Sequence, residues 1–302
     1  MIWSGWSTRQ LQEAINDIDE EKMQEVATKY QVEIAPKNIF DLNKAIKSFN
    51  NFGFVPTMGG IHKGHISLIK NSQKFCKKTI VSIFVNPTQF NDKDDFRKYP
   101  RNFNKDINIL KRLNVDYLFI PKASDIYKNK NKKIKLFKKD KILCAKFRKG
   151  HFEGVLNVMN RLMSLIKAKS IFMGEKDFQQ LHLIKKYLTK KYNVKIISCR
   201  TIRDKNKIAL STRNKLLDKK NYVKASLIAK YLLKLKKETN LNNKNQYFLM
   251  KKNIKNLEIN YQIKIDYLEF RNKKDLKISN SKSKSRLFVA YNIGNLRLID
   301  NF

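Results

Sequence analysis

The sequence predicts an α/β protein, with a doubly wound parallel sheet followed by a smaller C-terminal α+β domain. From Ile39 to about Arg203, short apolar runs alternate with longer amphipathic segments, and strands that alternate with helices are typical of a parallel sheet. After Arg203 the pattern changes to a long helical region followed by strands. The predicted domains are a helical extension over residues 1–37, the sheet domain over residues 38–202, and the smaller domain over residues 203–302.

The elements follow in order along the chain, and five apolar segments predict the strands of the parallel sheet. These are Phe52–Pro56, Thr79–Asn86, Val115–Pro121, Ser170–Gly174 and Lys195–Cys199. The amphipathic segments that predict its helices are residues 41–49, 65–75, 102–113, 155–167 and 181–192. In the smaller domain the predicted helices and strands are Asn221–Glu238, Phe248–Asn256, Ile263–Phe270, Arg286–Tyr291 and Leu296–Asp300.

The first 37 residues differ in composition from the rest of the chain. They hold seven acidic and four basic residues, a net charge of −3, whereas the other 265 residues hold 61 basic and 19 acidic ones, a net charge of +42. Ser7 and Gln10 have the spacing of a capping box, and the following apolar residues fall largely on one helical face before Pro36. We therefore predict an appended acidic helix. Its charge favours the hypothesis that it docks on the basic body, and a disordered or loosely docked helix is the alternative.

The composition limits the classes of protein to which this chain can belong. Hydrophobic residues make up 42% of the 302 residues, enough for a sizeable core. The longest largely apolar run, Ile80–Val85 with only Ser82 polar, is far shorter than the roughly 20 residues of a membrane-spanning helix, and the N-terminus lacks the features of a secretory signal. Cys76, Cys144 and Cys199 are far apart, which indicates a reducing compartment without disulfides or a zinc site. We therefore expect a cytoplasmic protein.

The net charge of +39, from 65 Lys and Arg against 26 Asp and Glu, would suit a nucleic-acid partner, because these side chains neutralise phosphates. The excess is mostly lysine, however, and it occurs with asparagine and isoleucine along the whole chain. Residues 128–149 have eleven basic residues in twenty-two, but six apolar residues are interleaved with them as in an ordinary strand or helix. We interpret the charge as compositional bias on solvated faces, with no specific nucleic-acid partner.

The first candidate functional residues follow the first predicted strand, and ligands of open α/β sheets bind beyond the carboxyl ends of the strands. His62 and His65 are three residues apart at the start of a helix, where both can face the same way. Free backbone N–H groups and the helix dipole favour phosphate there, and Gly64 leaves room for an anion. Two imidazole donors can stabilise charge that develops on an α-phosphate. A pair of surface histidines is the weaker alternative, since the chain has only four histidines.

Two further strand exits add polar groups. VNPTQF contains Asn86 and Gln89, whose amides suit the hydroxyls and carboxylate of a small substrate, although turns commonly contain asparagine. In MGEKDFQQ, Lys176 can neutralise a phosphate and Asp177 can hold Mg²⁺. A charged turn that caps a helix is the alternative for Asp177.

A fourth segment, ALSTRN, places hydroxyl groups directly before an arginine. Ser211, Thr212 and Arg213 suit a triphosphate, because arginine binds phosphate oxygens in pairs. A Ser/Thr helix cap explains the same residues locally about as well.

Six motifs in order carry a family resemblance: VPTMGGIHKGH, VNPTQF, DFRKYPR, RKGHFEGV, GEKDFQQL and ALSTRN. The set resembles the pantothenate synthetase (pantoate–β-alanine ligase) family, and the segment RLFVAYNIGNLRLIDN is similar to that family's C-terminus. The resemblance covers about Ile39 to Asn301. H-x-G-H alone would indicate only the wider nucleotidylyltransferase superfamily, which includes class I aminoacyl-tRNA synthetases.

The resemblance implies a Rossmann-like sheet domain of the nucleotidylyltransferase type, a C-terminal lid domain and a homodimer. It implies ATP-dependent condensation of (R)-pantoate with β-alanine through a pantoyl adenylate, with release of pyrophosphate and AMP. The implied catalytic residues are His62, His65, Lys176 and Arg213. The implied ATP-binding residues are Met58, His62, His65, Gly174, Lys176, Asp177, Leu210, Ser211, Thr212 and Arg213, with magnesium at Asp177. The implied residues for pantoate and β-alanine are Gln89, Gln180, Asn86 and Arg148.

This chain departs from the family pattern at a few loop positions. Lys63 stands where Glu is frequent, and we expect it to face solvent. Lys207 stands where Gly is common, and Thr212 replaces Ser but keeps the hydroxyl. Asn91, Asp92 and Lys149 also differ from the residues usual in the family. The departures concern loop geometry, and none removes a group that the chemistry needs.

Two other functions stay open at this point. The first is adenylation of another substrate such as an amino acid, and KSKSR at residues 282–286 superficially resembles a synthetase signature. Its Ser, Lys and Asn neighbours are more typical of a linker. The second is a basic nucleic-acid binder, which predicts a steep salt dependence and leaves the strand-exit motifs unexplained.

Overall fold

The computed structural model describes residues 51–127, 133–239 and 246–302. The helices predicted in the acidic extension and over residues 41–49 lie outside these ranges. The described residues form two compact units. The first holds those up to Glu175 together with Gln180–Arg200, and the second holds Lys176–Gln179 together with Thr201–Phe302. The domain boundaries at residues 37 and 202 stay predictions.

The first unit is a parallel sheet with helices between its strands. Its elements, in chain order, are β1 Phe52–Thr57, α1 Lys63–Phe75, β2 Lys78–Ile83, α2 Lys93–Arg97, α3 Phe103–Arg112, β3 Tyr117–Phe119, α4 Ala123–Tyr127, α5 Cys144–Phe147, α6 His151–Ile166, β4 Ser170–Gly174, α7 Phe178–Tyr192 and β5 Lys195–Cys199. The first two residues of α7 belong to the second unit. The five strands lie in the order β3-β2-β1-β4-β5, and all neighbours are parallel. Because the chain runs outward from β1 and returns to β4 beside it, right-handed connections place the two sets of helices on opposite faces. The predicted doubly wound α/β fold is confirmed.

The strands of this sheet are nearly continuous apolar segments, because a parallel sheet is covered on both faces and each strand is buried on both sides. Leu68 and Ile69 of α1 and Leu110 of α3 join one buried cluster with Val55 of β1. At Gly53 an added Cβ would lie 2.1 Å from the Ser72 hydroxyl oxygen. The close approach of α1 to β1 therefore requires glycine at this position.

Several boundaries differ from the sequence prediction for local reasons. The strand β2 ends at Ile83, three residues early. The N–H of Phe84 makes the last bond to β1, to the carbonyl of Thr57 at 3.0 Å, and the chain then turns into a 3₁₀ turn over Pro87–Gln89 that Asn86 caps. The short helices α2, α4 and α5 were not predicted. The basic stretch over residues 128–149 was expected to be an ordinary strand or helix. From residue 133 onward it contains only a 3₁₀ turn and the four-residue α5.

The second unit contains two helices and an antiparallel sheet. Its elements are α8 Lys219–Glu238, α9 Gln246–Tyr261, β6 Lys264–Asn272, β7 Ser285–Ile293 and β8 Leu296–Asn301, and the strand order is β6-β7-β8. Ile228 and Leu232 of α8, Leu257 of α9 and Val289 of β7 share one buried core. The predicted smaller α+β domain is confirmed, and residues 282–284 form a turn before β7.

Left-handed backbone occurs at several residues that are not glycine. The described positions with positive φ are Asn114, Leu143, Lys167, Asn193, Lys207, Gln262 and Leu276. Lys207, with φ +73°, occupies the position where the family resemblance expects glycine, which adopts this conformation without the steric cost of a Cβ. Lys167, with φ +52°, follows the last residue of α6.

The three cysteines are free thiols and all are buried. Burial, together with the charge of Glu175, raises the pKa of the Cys199 thiol to about 11, and burial also raises the pKa of Cys76. Among the described residues, no helix is long and apolar enough to span a membrane.

Candidate active site

The loop between β1 and α1 is held by a buried carboxylate. Asp106 on α3 is only 2% exposed, and its two oxygens accept the N–H groups of Gly60 and Ile61, each at 2.7 Å. At Gly59, φ is +76° and an added Cβ would lie 3.0 Å from the Asp106 carboxylate. The loop that leads directly into His62 therefore has a fixed backbone.

Asp106 was missed in the sequence, although a signal for it exists. Phe103, Asp106, Ile107 and Leu110 lie at the spacing of one helical face, so a charged residue interrupts an apolar stripe. Such a carboxylate is rarely buried without partners, and here the partners are backbone N–H groups.

The structure brings the two predicted histidines together at the N-terminus of α1. His62 is the N-cap residue, and its Nδ1 accepts the N–H of Gly64 at 3.1 Å. An accepting Nδ1 places the proton of the neutral ring on Nε2. The rings of His62 and His65 stack with centroids 4.1 Å apart and planes at 26°. Lys63 between them is exposed, as expected.

The turn after β2 presents the amide groups of Asn86 and Gln89. Asn86 is 1% exposed, and its Oδ1 accepts the N–H and the hydroxyl of Thr88 at 3.2 and 2.9 Å. The Asn86 amide nitrogen donates to Gln89 Oε1 at 3.3 Å. The Gln89 amide nitrogen in turn lies 2.6 Å from the sulfur of Met58. These contacts join the exits of β1 and β2.

Tyr127 and Gly154 support this turn, and the sequence did not indicate either. The Tyr127 hydroxyl donates to Asn86 Oδ1 and lies 3.1 Å from the Thr88 hydroxyl, and burial raises the pKa of Tyr127. A Cβ at Gly154 of α6 would lie 2.4 Å from the carbonyl oxygen of Thr88. The bare backbone of α6 therefore lets the turn pack directly on this helix.

Arg148 and His151 fix the backbone of Gln89. Arg148 Nη2 donates to the Gln89 carbonyl at 3.2 Å, and Nη1 lies 3.0 Å from His151 Nε2. Because a guanidinium only donates, His151 Nε2 is the acceptor, and its Nδ1 donates to the same carbonyl at 2.6 Å. Asn91, one of the departures from the family pattern, accepts from Arg148 Nε at 3.3 Å and donates to the Lys149 carbonyl at 2.8 Å.

The exit of β4 is open. An added Cβ on Gly174, the last residue of β4, would meet no atom of the described residues within 4 Å. The order β3-β2-β1-β4-β5 reverses direction between β1 and β4, and such a switch point is where open α/β sheets bind their ligands. Gln180 on α7 is partly buried and belongs to the same unit.

The remaining predicted site residues belong to the second unit. Lys176 Nζ lies 3.6 Å from Asp177 Oδ1, and the side chains are 18% and 47% exposed, respectively. Ser211 caps a 3₁₀ turn over Thr212–Leu216 by accepting the N–H of Arg213 at 3.3 Å.

Thr212 differs from its neighbours in exposure, and Leu210 is fixed by a backbone hydrogen bond. Thr212 is 4% exposed, whereas Ser211 and Arg213 are partly exposed. The N–H of Leu210 bonds to the carbonyl of Ile202 at 2.9 Å.

Among the predicted ATP-binding residues, Asp177 offers the one carboxylate that could hold a magnesium ion. In the described ranges no group of three or more His, Cys, Asp or Glu side chains is placed to hold a metal ion. Mg²⁺ is often bound through only one or two carboxylates, with substrate phosphates supplying further ligands. The exposed carboxylate of Asp177 is suitable for this role.

A doubly wound parallel sheet, with paired histidines at the N-terminus of its first helix and amides at the next strand exit, defines a nucleotide-binding α/β enzyme. The family model for pantoate-beta-alanine ligase matches residues 32–302. The chain belongs to this family.

Relatives and solved structures agree with this assignment. A pantothenate synthetase of Flavobacterium psychrophilum is 37% identical over 273 residues, 86% of this chain and 96% of that protein, and one of Campylobacter hominis is 39% identical over 82% of this chain and 91% of that protein. The crystal structure of pantoate-beta-alanine ligase from Francisella tularensis, complexed with beta-gamma ATP and beta-alanine, superposes with a TM-score of 0.76 at 38% identity, over 89% of this chain and 97% of that one. Pantothenate synthetase from Thermus thermophilus gives a TM-score of 0.77 at 27% identity, over 89% of this chain and 98% of that one.

Proposed function

We propose that this chain catalyses the ATP-dependent condensation of pantoate with β-alanine. A carboxylate oxygen of pantoate attacks the α-phosphorus of ATP, which forms pantoyl adenylate and releases pyrophosphate. The amine of β-alanine then attacks the activated carbonyl, forms the amide of pantothenate, and releases AMP and a proton. Adenylation is needed because a free carboxylate has no good leaving group.

The stacked pair of His62 and His65 at the N-terminus of α1 is the observation that carries the proposal. Because Nδ1 of His62 accepts the N–H of Gly64, its Nε2–H is the ring group that can donate to a phosphate oxygen. Donors aimed at developing phosphate charge typically contribute about 10²–10³ in rate. The backbone fixed by Asp106 pre-organises this donor.

The amide groups at the exit of β2 suit pantoate, which carries hydroxyls and a carboxylate. Gln89 donates through its Nε2 to the sulfur of Met58, a weak acceptor that a substrate oxygen can replace. Asn86 is held by its own turn and therefore orients Gln89. We propose Gln89 and Gln180 as the direct pantoate ligands, with Asn86 and Arg148 supporting them.

Lys176 and Arg213 are the proposed cations for the phosphates of ATP, and the hydroxyls of Ser211 and Thr212 are proposed to donate to them. Leu210 is proposed to bind ATP away from the phosphates, because its N–H already bonds to the carbonyl of Ile202. Lysine serves phosphate as a point charge and arginine as a paired donor. The open backbone at Gly174 suits the nucleotide. Asp177 would hold Mg²⁺, which neutralises phosphate charge when it is bound.

A homodimer in the cytoplasm is part of the proposal. The homodimer rests on the family resemblance, and sedimentation of the purified full-length chain tests it. The cytoplasmic location rests on three widely spaced cysteines that are free thiols, which suit a reducing compartment, and fractionation of the source cells tests it.

The decisive assay is pantoate-dependent exchange of labelled pyrophosphate into ATP. We expect His62→Ala and Lys176→Ala to lower the exchange rate by about 10²–10³. Lys63→Ala is the matched control, because Lys63 lies beside His62 but is exposed, and its rate should stay within about twofold of wild type. Exchange that ignores pantoate would refute the proposal, and exchange that requires an amino acid would favour the alternative substrate.

A further inference from the structure

Asn301 at the end of β8 contacts the segment that carries Lys176. It is 3% exposed, and its Nδ2 donates to the carbonyl oxygen of Lys176 at 2.8 Å. Its Oδ1 accepts from Arg286 Nη1 at 2.6 Å. One side-chain amide thus serves as donor and acceptor at once.

The same segment is held a second time through the ring of Phe178. The guanidinium of Arg286 lies 4.6 Å from the centroid of this ring, and Phe288 packs against it with centroids 5.8 Å apart and planes at 64°. Arg286 therefore links the two attachment points, because it contacts both Phe178 and Asn301.

Asn301 is itself fixed by a neighbouring ion pair. Arg203 contacts both carboxylate oxygens of Asp300, at 2.7 and 2.9 Å, and donates to the Asn301 carbonyl at 3.0 Å. Arg203 also donates to the carbonyl of Lys207 at 2.9 Å. Burial raises the pKa of Asp300, while Arg203 and the charge of Lys176 oppose this shift.

We propose that Asn301 is a positioning residue that sets the Lys176 ammonium for the adenylyl-transfer step. This inference rests on the proposed function, which gives Lys176 its role at the phosphates. Fixing the carbonyl of Lys176 fixes the direction in which its side chain leaves the backbone. A misplacement of about 1 Å at a reacting group can lower a rate by about 10²-fold.

Asn301→Asp is the sharpest test, because it keeps the shape and the acceptor for Arg286 but removes the donor to Lys176. We expect the maximal rate of pantoate-dependent exchange to fall about 10- to 100-fold, with the KM for pantoate within about twofold of wild type. Asn301→Ala, which adds no charge, should behave similarly. In a Lys176→Ala background, Asn301→Asp should change the rate by less than about twofold, because both changes remove one function.

The matched control is Asp266→Asn in the same antiparallel sheet. Asp266 accepts from Arg297 at 2.7 Å and from Asn292 at 3.2 Å, so this variant also loses partly buried polar contacts but leaves Asn301 intact. Its exchange rate should stay within about twofold of wild type. Hydrogen–deuterium exchange of the peptide over residues 174–180 should accelerate in both Asn301 variants and not in Asp266→Asn.

Three outcomes separate the inference from the function. A wild-type protein that lacks pantoate-dependent exchange refutes the proposed function. A wild-type rate in Asn301→Asp and Asn301→Ala, with unchanged deuterium uptake at residues 174–180, refutes only the positioning role. An additive loss in the double variant with Lys176→Ala also overturns it, since Asn301 would then act by another route.

Discussion

Asp106→Asn is the perturbation that most directly tests how the histidine loop is built. Both carboxylate oxygens accept backbone N–H groups at 2.7 Å, whereas an asparagine offers one oxygen and one NH₂ group. One N–H, of Gly60 or Ile61, would then face a donor in a buried site. The energy lost is that of a charge-assisted hydrogen bond with an unsatisfied partner, about 2–3 kcal/mol.

The loss of this hydrogen bond should lower both the thermal stability of the protein and the rate of pyrophosphate exchange. For a unit of this size, about 2–3 kcal/mol corresponds to a melting temperature lowered by about 4–12 °C. Because Ile61 directly precedes His62, we also expect the maximal rate of pyrophosphate exchange to fall about 10- to 100-fold. Thermal unfolding and the exchange assay measure the two effects separately.

Asp116→Asn provides the control for general destabilisation. Asp116 accepts the N–H of Thr79 at 2.9 Å and the Lys78 ammonium at 2.8 Å, at the amino end of β2 and therefore at the edge of the sheet opposite the strand exits. This variant should lose stability but keep an exchange rate within about twofold of wild type. A wild-type rate in Asp106→Asn, or an equal loss in both variants, would refute the argument.

Three further predictions concern the turn after β2 and the buried thiols. Tyr127→Phe removes the hydroxyl that orients Asn86 and should raise the KM for pantoate about fivefold, as expected for about 1 kcal/mol; an unchanged KM in steady-state assays would contradict this. Gly154→Ala should destabilise the protein in urea by about 1–3 kcal/mol, although alanine is the better helix former, because its Cβ would lie 2.4 Å from the Thr88 carbonyl; a more stable variant would show that the turn can move. With its pKa raised from 9.0 to about 11, the native Cys199 thiol should react with a disulfide reagent at pH 8 about 100-fold more slowly than an ordinary cysteine, and faster labelling would indicate local opening.

The strands were the most predictable part of the fold, since their apolar residues are continuous and bounded by polar turns. The ranges Ser170–Gly174 and Lys195–Cys199 agree with β4 and β5 to the residue. The predicted end of β2 at Asn86 was wrong, because Phe84 and Val85 are buried although they lie beyond the end of the strand at Ile83. Burial and strand pairing are separate properties, and hydrophobicity reports only the first.

The contacts of the candidate site were less predictable, because most of them join distant parts of the chain. The histidine pair follows from a local spacing, which predicts that both side chains face the same way. The contact of Arg148 with the Gln89 carbonyl spans 59 residues, and that of Asn301 with Lys176 spans 125. Only the packing of the elements determines such pairs, so the residue types can be recognised in advance while their partners cannot.

The residues other than glycine that have positive φ lower the stability of this chain, and glycine at these positions would raise it. A residue other than glycine in this conformation costs about 1–2 kcal/mol, and asparagine tolerates it better than lysine or glutamine. Lys167, Lys207 and Gln262, with φ of +52°, +73° and +52°, are therefore suitable positions for glycine in a more heat-resistant variant. The compositional bias toward lysine would thus affect the turns as well as the charged surface, and three substitutions would reverse it there.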